Sequence, residues 1–330
     1  MKDHFYIHIP SKNEQTEQSF MRALGFTDTG DGQSVRPLLE YIIKNASVLL
    51  EGPDNDLGLP CMEWHVEFVD GFGLAVYGTM FIDEQGRHFC VEDWTLTAEN
   101  DTLTAVADFY VDSGTDTRLY AYCEEYVTGS ELEFRLTNHN DHNRYYKETE
   151  KDELLCVNGV YLAAFASGGT VILPVEKTEE TLAEREEEES IHRDVLARAR
   201  RGDESAAHEW DELAQQMNAA IEERLLEEDY LTVFESYLMP IEDNSGVYAM
   251  LGEIEDVCAG QNKASGETVV QMTVDVTGMK IKVAVNQNDL VGLPSAGMRL
   301  MAVVYMVGKA GFIETPPTAG TKADEEGANG

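Results

Sequence analysis

A chain of 330 residues exceeds what one hydrophobic core ordinarily holds, so two or three domains are expected, and 43% hydrophobic with 9% aromatic residues is enough to build them. The formal net charge of −38 is unusual and negative throughout: residues 1–175 carry 30 acidic and 11 basic side chains, residues 176–229 carry 19 and 7, and residues 230–330 carry 13 and 6. Nucleic acid is therefore not expected as a partner, since affinity for a polyphosphate comes largely from Lys and Arg displacing counterions; a basic protein partner suits the field, and so does none, because negative charge also favours solubility.

The first residues, Met1 to Pro10, have no uninterrupted apolar stretch and do not read as a signal peptide. A short strand is expected at Phe5–Ile9. Two helices follow, over about Glu14–Leu24, stopped by Gly25, and about Val35–Ala46, where Leu38, Leu39, Ile42 and Ile43 recur at helical spacing behind Pro37. From Cys61 the pattern turns to alternation. Leu74–Ile82 and His88–Leu96 flank Asp83-Glu84-Gln85-Gly86 as a hairpin. Leu103–Val111, Arg118–Tyr126 and Glu131–Thr137 continue the meander, and Leu154–Pro174 holds a further strand or two.

The acidic run Glu176–Ser190 marks a boundary, read as a solvated linker or an exposed helix. Beyond it, Ile191, Val195, Leu196 and Ala199 have helical spacing, Asp203 is placed to cap another helix, and Tyr230–Leu238 is a last helical piece. A C-terminal β-barrel of the OB type is then expected from about Tyr248 to Gly308, with strands at Tyr248–Cys258, Thr268–Thr277, Lys280–Asn286 and Arg299–Val307. The fold class is α+β multidomain. Residues 1–175 make an α+β domain with an antiparallel sheet and two helices, 176–240 an acidic linker and helical module, 241–310 the OB-like barrel, and 311–330 a disordered tail.

The segment Phe20-Met21-Arg22-Ala23-Leu24-Gly25-Phe26 resembles the opening of an uncharacterised family of proteins from gut-type Clostridia. The resemblance returns at Gly169–Val175, at Ala199–Glu204, and from Tyr248 through Leu251-Gly252-Glu253-Ile254 to Asp289–Pro294 and Gly297. It implies a bacterial cytoplasmic setting and a domain of unknown function, and carries no activity with it. The chain begins upstream of the family pattern, so the strand at Phe5–Ile9 lies outside the resemblance.

Chemistry is sparse. The cysteines Cys61, Cys90, Cys123, Cys156 and Cys258 are odd in number and contain no Cys-x-x-Cys pair, which suits a reducing compartment. No run reaches the roughly 20 apolar residues of a membrane helix, so the expected location is the cytoplasm, without a membrane partner. His139, Asp141 and His142 are weak metal candidates in what reads as a polar loop, with no third ligand identifiable beside the two imidazoles and the carboxylate. The barrel's second and third strands offer Lys280 and Lys282 but no aromatic platform for bases. Adjacent carboxylates such as Glu92 and Asp93 should point to opposite faces of a strand.

No cofactor loop or catalytic motif is present, and no cofactor is expected. The sequence favours a non-enzymatic interaction or scaffold protein whose contact surface is the helical stripe Trp210, Leu213, Met217, Ile221 and Leu225, or the outer face of the barrel. The alternatives are a small-molecule binder or enzyme, using His65, His88, His139, His142, Tyr120 and Arg118 in a cleft of the N-terminal domain, and single-strand binding through the barrel.

Overall fold

The computed structural model describes residues 5–9, 16–27, 35–46, 48–55, 57–112, 118–148, 157–175, 179–242 and 245–313. Strand β1 (Phe5–His8) leads to helix α1 (Thr16–Phe20), which tightens into a 3-10 turn at Met21–Leu24 and ends at Gly25, where φ is 83°. Helix α2 (Arg36–Asn45) carries Pro37 in its first turn and buries Leu39, Ile42 and Ile43. Strands β2 (Val48–Glu51), β3 (Cys61–Val69), β4 (Phe72–Asp83) and β5 (Gly86–Ala98) follow. In the β4–β5 turn the Asp83 carboxylate accepts the N–H groups of Gln85 and Gly86.

Next come β6 (Val106–Asp112), β7 (Tyr120–Glu125), β8 (Glu131–Leu136), helix α3 (His139–Glu148) and β9 (Val157–Ile172), one long strand. Helices α4 (Glu179–Ala199), α5 (Glu204–Leu225) and α6 (Tyr230–Val233) precede β10 (Tyr237–Pro240), β11 (Val247–Gln261), β12 (Thr268–Val276), β13 (Met279–Asn286), β14 (Leu290–Val291) and β15 (Arg299–Phe312).

Of the two readings of the acidic run, the helix holds from Glu179, where α4 begins. Two expectations change. The last helical piece stops at Val233, and Tyr237–Pro240 is instead a strand paired with β11. Strand β15 reaches Phe312, into the expected tail; the tail from residue 314 lies outside the described residues, as does Cys156.

The strands form two sheets. One runs β1-β5-β4-β3-β2, antiparallel except that β1 lies parallel to β5. The other holds the remaining ten strands, β6–β8 among them, so the meander expected from Cys61 onward is divided between the two. The chain crosses over at Asn100, whose amide donates to the carbonyls of Leu162 and Lys280 at 2.7 and 3.0 Å, and at Thr104, which bridges to Val160. Within the second sheet the pairing returns to its start. Strand β11 is antiparallel to β12 and β12 to β13; β13 is parallel to β9; β9 is antiparallel to β15 and β15 to β11. The ring thus includes β9, from before residue 175, beside four strands of the expected C-terminal barrel.

Two cores result. One lies inside the ring and continues under β6–β8, with Val274, Ile281, Val283, Leu300, Val304, Leu162 and Phe134. The other lies between the five-stranded sheet, helices α1 and α2, and the outside of the ring, where Phe165, Val269, Ala284, Tyr305 and Val307 meet Phe20, Phe72 and Trp94. Phe72 packs edge-on to Phe165 with centroids 5.6 Å apart, and Phe20 stacks on Tyr305 at 5.5 Å. Strands β9 and β15 are therefore buried on both faces over much of their length and read as long apolar runs, whereas β12 and β13 alternate and place only Val269 and Ala284 of their outward face in the second core. Gly308 lets Phe134 approach: a Cβ there would stand 2.7 Å from its ring.

Arg135 on β8 is fully buried at the junction. Its Nε donates to the Glu17 carboxylate of α1 at 3.1 Å, its Nη2 to Asp93 of β5, and its Nη1 to the Leu119 carbonyl at 3.1 Å, with the Tyr120 ring 5.5 Å away. Burial alone would lower the guanidinium pKa; the Asp93 and then the Glu17 carboxylate outweigh it, and the charge is retained. Replacing Arg135 by Met leaves two buried carboxylates without their cation and should cost about 3–5 kcal/mol, measured by urea unfolding. Combining it with Glu17→Gln and Asp93→Asn should recover most of that loss. A single Arg135→Met change that leaves the unfolding midpoint in place would show that the network contributes nothing.

Candidate functional site

The helical stripe and the polar residues of the N-terminal half are the two sites that the sequence proposes, and they lie apart. Helices α4 and α5 form a hairpin turned at Gly202, where φ is 87°. Asp203 caps α5, its carboxylate accepting the N–H groups of Ser205 and Ala206 at 3.0 and 3.3 Å. The hairpin's root rests on the β7–β8 turn. Val195 and Leu196 are buried there, and Trp210 and Leu196 close over Gly129. Arg200 stacks over the Tyr126 ring at 4.6 Å and donates to Glu124 at 2.7 Å. At the other end the buried Arg299 holds α6 through the carbonyls of Leu231 and Phe234.

Between these anchors the α5 stripe is only partly covered. Trp210 meets His192 edge to face, Leu213 and Ile221 are half-buried, and Met217 and Leu225 are 45% and 39% exposed. The next residue, Leu226, is 86% exposed.

The histidine pair is not in a loop. His139 and His142 lie on α3 and are buried. The His139 ring stacks on Tyr77 with centroids 3.8 Å apart and bonds the Leu136 carbonyl at 3.0 Å, while the Tyr77 hydroxyl donates to the Thr137 carbonyl. His142 instead bonds Asn143 and packs against Tyr146 and Phe312. Asp141 faces outward to Arg144 at 3.6 Å. Among the described residues no group of three or more His, Cys, Asp or Glu is arranged to hold a metal ion.

His139 does line a cavity of about 220 Å³, together with Cys61, Tyr77, Glu92, Asp93 and Asn140. Glu92 and Asp93 share its wall because β5 bulges there: Asp93 pairs with Tyr77 and Val91 with Gly78, leaving Glu92 as the extra residue. The expectation that these neighbours face opposite ways fails for that reason.

A cysteine, an imidazole and an asparagine in one cavity suggest nucleophilic catalysis, but the electrostatics oppose it. Burial, then Glu92, pushes the Cys61 thiol up. Burial, then the Arg135 guanidinium, holds the His139 imidazole well below its ordinary value. Burial, then Glu63, pushes the Tyr77 phenol well up. All three groups are neutral near pH 7, and Asp93 is engaged by Arg135.

The other cleft candidates do not join His139 in this cavity. His65 is held by the buried Glu63 at 2.5 Å. His88 bonds Asp83 at 2.8 Å and the exposed His8 at 2.9 Å, between the rings of Tyr6 and Phe81. Tyr120 lies against Arg135, and Arg118 is half-buried just before β7. Nothing in the sequence singled out Glu17, Glu63 or Arg135, or tied Asp93 to them, because each is an ordinary charged residue until the fold buries it.

An α+β chain of two packed sheets with a helical hairpin on one side is thus the class to which the protein belongs. Residues 21–308 match the family model described as "Domain of unknown function, E. rectale Gene description (DUF3881)", and the chain belongs to that family. No curated protein and no solved structure matches it. No helix among the described residues is long and apolar enough to cross a membrane.

Two measurements check these electrostatics. Burial lowers both imidazoles of α3, so below about pH 6.5 the unfolded chain takes up protons before the folded one does. Stability from these groups is complete well above that value and should decline as the pH falls through it; His139→Gln should flatten the slope of the urea midpoint against pH. An unchanged slope would mean that His139 titrates normally. Peptide-resolved iodoacetamide labelling should place the Cys61 inflection above that of free cysteine, and an inflection below it would reveal an activated thiol.

Proposed function

We propose that this is a non-enzymatic cytoplasmic interaction protein, and that the α4–α5 hairpin is its docking element. The α5 stripe carries the reading. Apolar side chains recur along one face of a 22-residue helix, yet Met217 and Leu225 stay open to solvent although the hairpin's turn is seated on the β7–β8 turn. Such a face fits the groove or helix of another protein. Residues 176–229, with 19 acidic and 7 basic side chains, favour a partner with a basic rim. The neutral states of Cys61, His139 and Tyr77 favour this over a catalytic cleft, and the free thiols at Cys61, Cys90, Cys123 and Cys258 suit a reducing cytoplasm.

The ring of β11, β12, β13, β9 and β15 reads as an OB-type barrel in which β9 takes the place of the fifth strand, supplied from the N-terminal side. The parallel β13–β9 pair between antiparallel neighbours supports this order. Single-strand binding is disfavoured on the same ground. OB barrels bind through the outward face of their second and third strands. Here Val269 and Ala284 of that face pack against the five-stranded sheet, Lys280 is paired with Glu255 at 2.8 Å, and neither strand holds an aromatic ring.

A photo-crosslinking residue at Met217, in the full chain in its native cells, should give one stoichiometric adduct. Leu225→Glu should abolish it without moving the unfolding midpoint, and Gln216→Glu, off the stripe, should leave it intact. No adduct, or one indifferent to Leu225→Glu, rejects the hairpin as the docking element. Labelled oligonucleotides should fail to bind at about 50 mM salt, where the electrostatic term is strong.

A further inference from the structure

A second surface gathers chemistry of its own, independent of the helical stripe. Strand β8 pairs with β15 only at Arg135 and Leu136. Ahead of that pairing the Tyr248 phenol stands where a neighbouring strand would, accepting the Glu133 N–H at 2.7 Å and donating to the Glu133 carbonyl at 3.1 Å. A cavity of about 540 Å³ opens beside it, walled by Tyr110, Tyr122 and Tyr248 with Asp108, Glu131 and Glu133. Tyr110 and Tyr122 face each other across β6 and β7 as a stacked pair, centroids 5.0 Å apart, and Tyr110 is 54% exposed.

The wall is aromatic and anionic, and no Lys or Arg among the described residues lines it. Burial, then the carboxylates of Glu133 and Asp112, pushes the Tyr122 phenol up to about 12. Burial comes first in that shift; the carboxylates that add to it would also attract a cation.

The molecule itself shows how this edge receives one. One step along β7, at the same wall, Glu124 already binds Arg200 at 2.7 Å, with the guanidinium over the Tyr126 ring at 4.6 Å and bonded to the carbonyls of Tyr126 and Glu125. An aromatic face, a carboxylate and the strand's edge carbonyls together hold a planar cation there. The cavity repeats the first two of these with more tyrosines and more room.

We propose that this cavity binds an aliphatic organic cation, a guanidinium or alkylammonium head group, against the tyrosine faces, with Asp108 and Glu131 as counter-charges. The quadrupole of a tyrosine face attracts such a group, and the carboxylates add a charge-assisted bond. Anions and nucleic acid are repelled by the same wall. The head group can belong to a free metabolite or to the side chain of a peptide, and the cavity has space for the chain that carries it.

The test is calorimetric titration of the full chain at low salt with ethylguanidinium, tetramethylammonium and a blocked arginine tripeptide. Uncharged 3,3-dimethylbutanol is the control for shape. Saturable binding of the cations and not of the alcohol is expected. Tyr110→Leu or Glu131→Gln should weaken it about fivefold without changing the unfolding midpoint, and Tyr110→Phe should preserve it. A peptide that binds more tightly than ethylguanidinium assigns the site to a protein side chain; the reverse order assigns it to a free small molecule. The proposal is overturned if no cation saturates the protein, if the alcohol binds equally well, or if neither Tyr110→Leu nor Glu131→Gln lowers the affinity.

Discussion

The guanidinium of Arg135 ties together the parts of this protein that the chain keeps far apart. Its planar fork reaches one carboxylate on α1, another on β5, and the carbonyl of Leu119 just before β7, while the residue itself belongs to β8. One charged group thus fixes the first sheet, the helix packed against it and the second sheet relative to one another. Two carboxylates at that depth are tolerable only with the cation between them. The influence extends further: after burial, Arg135 also lowers the His139 imidazole, and its partner Glu17 adds to the burial that holds the Tyr305 phenol above its ordinary range.

This junction decides which surfaces are left for function. With the five-stranded sheet held against the outside of the ring, Phe165, Val269, Ala284 and Tyr305 are sealed in. The outward side of β12 and β13 that carries Val269 and Ala284 becomes part of an internal core. The same packing buries His139 and Tyr77 and keeps them neutral. What stays accessible is peripheral: the half-open stripe of α5, and the tyrosine-walled cavity where β8 leaves its neighbour.

Local pattern carried much of the fold. The apolar spacing of Leu39, Ile42 and Ile43, the turn at Asp83–Gly86, the cap at Asp203 and the alternation of Val270, Met272, Val274 and Val276 all appear where periodicity and turn chemistry put them. Misreadings occurred where tertiary context overrides propensity. His139-Asn140-Asp141-His142 has the composition of a loop, yet it opens a helix because both imidazoles find buried aromatic neighbours. Glu92 and Asp93 alternate on paper, yet a single bulged residue brings both to one cavity. Glu17, Asp93 and Arg135 look like any other charged residues until burial makes them a network.

By itself, then, the sequence determined an α+β chain, most of its elements, its negative field, and the absence of a basic or aromatic platform on β12 and β13. Only the tertiary structure decided that β6–β8 leave the first sheet, that β9 pairs in parallel with β13, and that Val269 and Ala284 face another sheet instead of solvent. The reason is physical. Periodicity records which face of an element is apolar, but nothing local records which distant partner covers each face. That choice is made by non-local pairing and by one buried guanidinium with the two carboxylates that meet it.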